Sequence, residues 1–221
     1  MKKLIQGIVE FREKVRPSYR DTFARLALGQ SPDTLLISCS DSRVVPNLFA
    51  STDPGDLFVI RNVGNLIPPC GDDGINLFDR SEAAAIEYAV EFLKVKDIII
   101  CGHSECAAHQ AIIQGSQNLS PNLRSWLRHG EPALLRLQNE GYLNPTMAPH
   151  NQLSQVNALQ QLEHLQSYPC VTRAIEAGRL QLHAWWFDIA EANLYSWEAS
   201  QGQYKVIDRD QAEVILSRLG H

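Results

Sequence analysis

The feature that most limits how this chain can fold is a series of short apolar runs separated by helix-forming stretches. Residues 34–38 read TLLIS, 57–61 LFVIR and 97–101 DIIIC. Runs of that length, bounded by polar residues, suit buried strands. Between the second and third lies EAAAIEYAVEFL, dense in good helix formers, which predicts a helix from about Asp79 to Leu93. After the third, AAHQAIIQG predicts a short helix stopped by Gly115. Ser120-Pro121 opens another, interrupted at Gly130-Glu131-Pro132, and helical patterns continue through 153–166 and 169–177. LQLHAWWFDI (180–189) predicts a fourth strand, LYSWE and YKVID short outer strands, and 210–219 a closing helix. Strands alternating with helices specify an α/β fold, a mostly parallel central sheet flanked by helices.

An N-terminal helical arm precedes the first strand. Leu4, Ile5, Ile8, Val9 and Val15 fall at helical spacing, Pro17 is expected to end or kink the helix, and Tyr19, Phe23 and Leu26 predict a second short helix closed by Gly29. The chain therefore divides into the arm (1–30), an α/β body (31–200) and a C-terminal extension (201–221). The arm is expected to lie on the body or on a second copy, which suggests a homodimer or higher homo-oligomer.

Bulk properties exclude several classes. A net charge of -5 argues against nucleic acid as the main partner. No apolar run approaches the ~20 residues of a membrane span. Charges return too early after the two N-terminal lysines for a signal peptide, so a cytoplasmic location is expected. Five scattered cysteines (Cys39, Cys70, Cys101, Cys106 and Cys170) then read as buried thiols, catalytic thiols or metal ligands.

Ligands of open α/β sheets gather outside the carboxyl ends of the strands. Here the first strand runs into Cys39-Ser40-Asp41-Ser42-Arg43, the second into Arg61-Asn62, and the third into Gly102-His103-Ser104-Glu105-Cys106. On neighbouring parallel strands, Cys39, His103 and Cys106 can converge. Two thiolates and an imidazole suit Zn2+ with a fourth position left over, to be filled by Asp41, another cysteine or an exchangeable water. Gly102 gives the backbone freedom to turn between the strand and His103. Cys101 reads better as the buried last residue of its strand, and Cys70 and Cys170 lack ligand-spaced partners. Asp41 and Arg43 form either a surface ion pair or a carboxylate kept ionised beside the metal to orient a water.

CSDSR at 39–43, PGDLFVIRNVGN at 54–65 and GHSEC at 102–106, in that order, resemble the β-class carbonic anhydrases. The lead-in EYAVEFLKVKD and the stretch AGRLQLHAWWFDI resemble the same family, over roughly residues 1–200. The resemblance implies Cys39, His103 and Cys106 as zinc ligands and Asp41 with Arg43 as the catalytic dyad. It implies reversible hydration of carbon dioxide to bicarbonate and a proton by attack of zinc-bound hydroxide. In the family's closed arrangement the Asp instead swings onto the metal, and both arrangements are open to this chain. An apolar substrate asks for an apolar pocket, for which Val44, Phe58, Val63 and Tyr88 are candidates with Gly102 beside them, though the four side chains are equally good core residues. His109 and His150 are the weaker candidates for exporting the proton.

Three positions depart from the family pattern. Ala107 stands where Gly is frequent. Asp53 stands where plant-type members have a substrate-binding Gln. Leu36 stands where members with a non-catalytic bicarbonate site have Trp. The resemblance to cyanobacterial members makes a carboxysome interior the candidate compartment and a carboxysome scaffold protein a candidate partner. A zinc-holding scaffold without turnover is the competing class, disfavoured by the intact dyad. A thiol redox protein built on Cys101 and Cys106 is disfavoured because their spacing is not that of a CxxC motif.

Overall fold

The computed structural model describes residues 1–71, 74, 75, 79–141, 144 and 146–219. Six strands, β1 (Thr34–Cys39), β2 (Leu57–Asn62), β3 (Asp97–His103), β4 (Gln181–Asp188), β5 (Asn193–Glu198) and β6 (Gln203–Val206), form one sheet in the order β2-β1-β3-β4-β5-β6. The first four are parallel, and β5 and β6 are added antiparallel. The mostly parallel sheet expected from the alternating pattern is therefore present. Because β1 connects to β2 on one side and its neighbour β3 connects to β4 on the other, the crossovers from these two strands lead in opposite directions. Outside the carboxyl ends of β1 and β3 this opens the crevice typical of a topological switch point.

The helices follow in chain order: α1 (Lys2–Glu10), α2 (Arg16–Leu26), α3 (Pro46–Phe49), α4 (Arg80–Glu87), α5 (Ala107–Gln114), α6 (Pro121–Leu127), α7 (Glu131–Glu140), α8 (Pro149–Gln166), α9 (Pro169–Glu176) and α10 (Arg209–Arg218). A π-helical segment, Tyr88–Leu93, continues α4. Leu35, Ile37, Ile98, Ile100 and Ala184 point to one sheet face, where α4, α8 and α9 bury Ile86, Ala158, Leu165, Tyr168 and Val171 against them. Leu36, Ile99, Cys101 and Phe187 form a smaller cluster on the other face.

The N-terminal arm holds the two expected helices, and of the two outcomes expected at Pro17, an end or a kink, the end does not occur. Pro17 does not end the helix, because a π-helical segment over Phe11–Val15 joins α1 to α2, and the Arg16 N–H reaches back to the Phe11 carbonyl. The wider turn just ahead of the ring absorbs the missing donor of proline. No residue of α1 or α2 is buried, and Tyr19 donates to Asp53 Oδ1 at 2.8 Å.

The C-terminal residues complete the sheet as β6 and then close over β5. Asp208 caps α10 through the Gln211 N–H, and Gln211 and Arg218 both donate to the buried Glu198 carboxylate, at 2.6 and 2.7 Å.

α8 lies between β3, β4, α5 and α7, and its polar side chains are buried along with its apolar ones. Three of them, Asn157, Gln161 and His164, bond an irregular stretch that runs on from β2. Asn157 donates to the Gly64 carbonyl, Gln161 accepts from the Ile67 N–H, and His164 Nδ1 donates to the Ile67 carbonyl. Each of these bonds satisfies a loop group that would otherwise be costly to bury.

Gly102 corrects a sequence expectation. β3 runs straight through it to His103, and the left-handed residue of the following turn is Glu105, with φ 55°. Gly102 instead lets α8 approach, since a Cβ there would stand 3.0 Å from both Ser154 O and Ser154 Oγ and 3.2 Å from Trp186 Cδ1. Gly102→Ala is expected to lower stability by about 1–3 kcal/mol through overpacking. Thermal unfolding of the variant beside the parent chain checks this; an unchanged midpoint would remove the close-approach role.

Candidate metal centre

Two strand ends and one helix start supply the cluster. Cys39 is the last residue of β1, His103 the last of β3, and Cys106 immediately precedes α5. One ligand atom from each lies within 4.8 Å of the others, and all three residues are buried. His103 is prepared for a metal by its own backbone surroundings. Its Nδ1 donates to the Ser104 carbonyl at 2.8 Å, which leaves Nε2 as a buried lone pair without a partner. Its main chain is held by Ser154, whose Oγ accepts from the His103 N–H at 3.2 Å and donates to the His103 carbonyl at 2.8 Å.

The thiols are poised unequally. Cys39 is pulled down to about 4, first by a hydrogen bond from Cys106 and also by the Gly64 N–H, against the opposing effect of burial. The Gly64 N–H lies 3.4 Å from Cys39 Sγ, in a backbone with φ +85° that glycine adopts without strain. Cys106 is pushed up by the neighbouring Cys39 sulfur and by burial. A divalent ion between the two sulfurs would favour the thiolate form of both. Buried unpartnered nitrogen, paired sulfurs and short separations all fit zinc as a fourth-position-open site. Cys101, one turn of the pleat away, is pushed up to about 12 by burial and stays a neutral core thiol.

Asp41 and Arg43 form a two-pronged pair beside the cluster. Arg43 Nε donates to Asp41 Oδ1 at 2.9 Å and Nη2 to Oδ2 at 2.7 Å, while the Arg43 backbone N–H adds a third bond at 3.0 Å. Arg43, through its side chain and its backbone N–H, holds the Asp41 carboxyl well below the usual carboxylate range. Arg61, named in the sequence only as a polar strand end, staples this turn by donating to the carbonyls of Cys39, at 2.9 Å, and Asp41, at 2.7 Å.

The expected pocket residues separate. Val44 is buried behind the dyad turn, its N–H donating to the Asp41 carbonyl, and Val63 precedes Gly64 with its side chain exposed. Phe58 stands opposite Leu35, four positions upstream of Cys39 along the ladder, or ~13 Å at the strand rise. Tyr88 packs there at a tilt against Phe58 and stacks on Phe92, with centroids 5.8 and 5.6 Å apart, so within one chain this aromatic group lies away from the cluster. His109 is buried with neither nitrogen partnered, and burial holds it down to about 3, so it stays neutral. His150 faces Glu105 Oε2 at 3.1 Å. A cavity of about 480 Å³ between α8, β4, β5 and α10, lined among others by Arg136, Trp185, Trp197 and Arg218, touches none of the cluster residues.

Sequence reasoning missed Ser154. Its only signal is a serine inside a helix whose polar residues look like a solvated face.

Known proteins resemble this chain over most of its length. The family profile described as carbonic anhydrase matches residues 34–194. A carbonic anhydrase of Pseudomonas aeruginosa is 38% identical over 206 residues, covering 92% of this chain and 90% of that protein. One of Synechocystis is 40% identical over 201 residues, covering 90% and 71%. Among solved structures, the β-carbonic anhydrase CcaA superposes with a TM-score of 0.82 at 37% identity, covering 94% of this chain and 92% of that one. A structure of tetrameric β-carbonic anhydrases from Sordaria macrospora superposes at 0.73 with 27% identity, covering 93% and 95%.

Proposed function

The chain belongs to the β-carbonic anhydrase family, and from that premise we propose that it interconverts carbon dioxide and bicarbonate at a zinc ion held by Cys39, His103 and Cys106. The observation that carries the reading is the convergence of those three buried ligand atoms within 4.8 Å beside a carboxylate forked by Arg43. When bound, zinc supplies a water acidified to near neutrality.

The chain's own residues do the rest. The Ser104 carbonyl fixes the His103 tautomer, and the Gly64 N–H stabilises negative charge on Cys39. Asp41, ionised throughout the neutral range, can only accept a hydrogen bond, so it orients the nucleophile without competing for its charge. Arg43 keeps both carboxylate oxygens turned towards itself, which favours the arrangement in which Asp41 stays off the metal. Carbon dioxide and water give bicarbonate and a proton, and the proton leaves to solvent. Val44 and Val63 are the proposed apolar neighbours of the substrate within one chain.

The proposed assembly is a homo-oligomer built on dimers, supported by the arm, where Leu4, Ile5, Ile8 and Val9 are exposed along one helix. No helix among the described residues is long and apolar enough to cross a membrane. The carboxysome as compartment has only the similarity to cyanobacterial carbonic anhydrases for support.

Stopped-flow hydration of carbon dioxide tests the reading on zinc-loaded, chelator-stripped and zinc-reloaded protein. Activity is expected in the first and third and is expected to fall to the uncatalysed rate in the second. A folded, fully zinc-loaded chain without turnover would overturn it.

A further inference from the structure

Glu105 lies between two proposed ligands in the left-handed region, with φ 55°, where a glutamate is seldom found. Something must hold it there, and Asn151 in the first turn of α8 touches it twice. The Glu105 N–H donates to Asn151 Oδ1 at 2.7 Å, and Asn151 Nδ2 donates to Glu105 Oε1 at 3.0 Å. The side-chain amide offers an acceptor and a donor on one rigid planar group, and this one is 9% exposed. Its helix is itself anchored to the site, through Ser154 on the His103 backbone and Asn157 on the Gly64 carbonyl.

The conformation so held determines where the Glu105 carbonyl points. That carbonyl accepts from Arg43 Nη2 at 3.0 Å, and the same nitrogen donates to Asp41 Oδ2 at 2.7 Å. His150 also reaches Glu105, but that pair involves a carboxylate side chain 52% exposed, where solvent screens the attraction.

We propose that Asn151 is a positioning residue for the Asp41–Arg43 dyad, acting through the Glu105 backbone. The inference rests on the dyad's role in the reaction given above. Without the amide, Glu105 relaxes towards ordinary backbone angles, its carbonyl turns away, and Arg43 loses the bond that fixes the fork's direction.

The test uses the full zinc-loaded chain. Asn151→Ala is expected to keep its zinc, to lower kcat by about 10-fold, as loss of outer partners around metal sites does, and to leave KM little changed. The Arg43 Nε–H proton, followed by NMR, is expected to exchange faster with solvent than in the parent. Glycine takes the left-handed conformation unaided, so in a Glu105→Gly background the added cost of Asn151→Ala should shrink to under about 2-fold. Parent-like kcat, an unchanged Arg43 signal, or equal losses in both backgrounds would overturn the proposal. If Asn151→Ala does not fold, Asn151→Asp takes its place. It keeps the acceptor for the Glu105 N–H and loses the donor, so a partial loss supports the clamp and a parent-like enzyme overturns it. Should the parent itself show no turnover with zinc bound, the activity reading fails, and the Arg43 proton still decides the clamp.

Discussion

Cys39→Ser is expected to abolish stoichiometric zinc binding and to slow carbon dioxide hydration by about 1,000-fold or more. The sulfur is one of only three protein ligand atoms in the cluster, and it is the one held most strongly as a thiolate. A serine hydroxyl at the same place stays protonated and is a poor zinc ligand. The rate follows the metal because bound zinc lowers the pKa of water from 15.7 to about 7, a change of roughly eight orders of magnitude in available hydroxide. Metal analysis beside stopped-flow kinetics checks the outcome, with Cys101→Ala as the comparison. Cys101 lies on the neighbouring strand, fully buried and neutral, and its replacement should keep one zinc per chain. Zinc and activity surviving in Cys39→Ser would remove β1 from the metal site.

The second large effect is expected at Asp41, and it should divide chemistry from metal binding. Asp41→Asn keeps the side chain's shape and leaves all three ligand atoms in place, so zinc content should match the parent. It removes the charge that Arg43 forks and replaces one acceptor oxygen with a donor, which points a proton where a lone pair is needed. A fall in kcat of about 100- to 1,000-fold with KM nearly unchanged is expected for a group acting mainly in the transition state. The sign with pH also follows. Arg43 depresses the Asp41 carboxyl, so loss of activity on mild acidification should not come from protonating this group. An active Asp41→Asn with bound zinc would leave the pair as an ordinary surface ion pair.

The site was legible in the sequence because its residues follow directly on apolar runs. Thr34–Cys39 and Asp97–His103 announce themselves as strands, so the polar residues closing them fall in the switch-point crevice by topology alone. Residues that support the site from elsewhere were hidden. Asn151, Ser154, Asn157 and Gln161 give α8 a polar pattern that periodicity assigns to solvent, and only the loop and strand they bond explain their burial. Gly102 was given the turn that belongs to Glu105, because glycine is the usual left-handed residue and a glutamate held from a distant helix leaves no local trace. At Pro17 the local rule about proline left an end and a kink both open, and the wider helical turn placed before it removes the end. Phe58 has the right chemistry for a pocket, yet within one chain the register of β2 sets it, and Tyr88 packed against it, far up the strand from the cluster.

The pairing of β1 with β3 has a consequence for folding fidelity. Ser38 stands opposite Cys101, which fixes where the strand ends carrying Cys39 and His103 emerge. A slip of one residue would carry Cys39 about 3.3 Å along the sheet and swing its sulfur to the opposite face. Such a chain could bury comparable isoleucines and leucines, but it could not gather two sulfurs and an imidazole around one point. A metal held by those ligands would therefore act as a proofreader of strand alignment. Its binding energy would go only to chains whose central rungs are correctly numbered, and so would disfavour a misaligned sheet beyond what hydrophobic burial does.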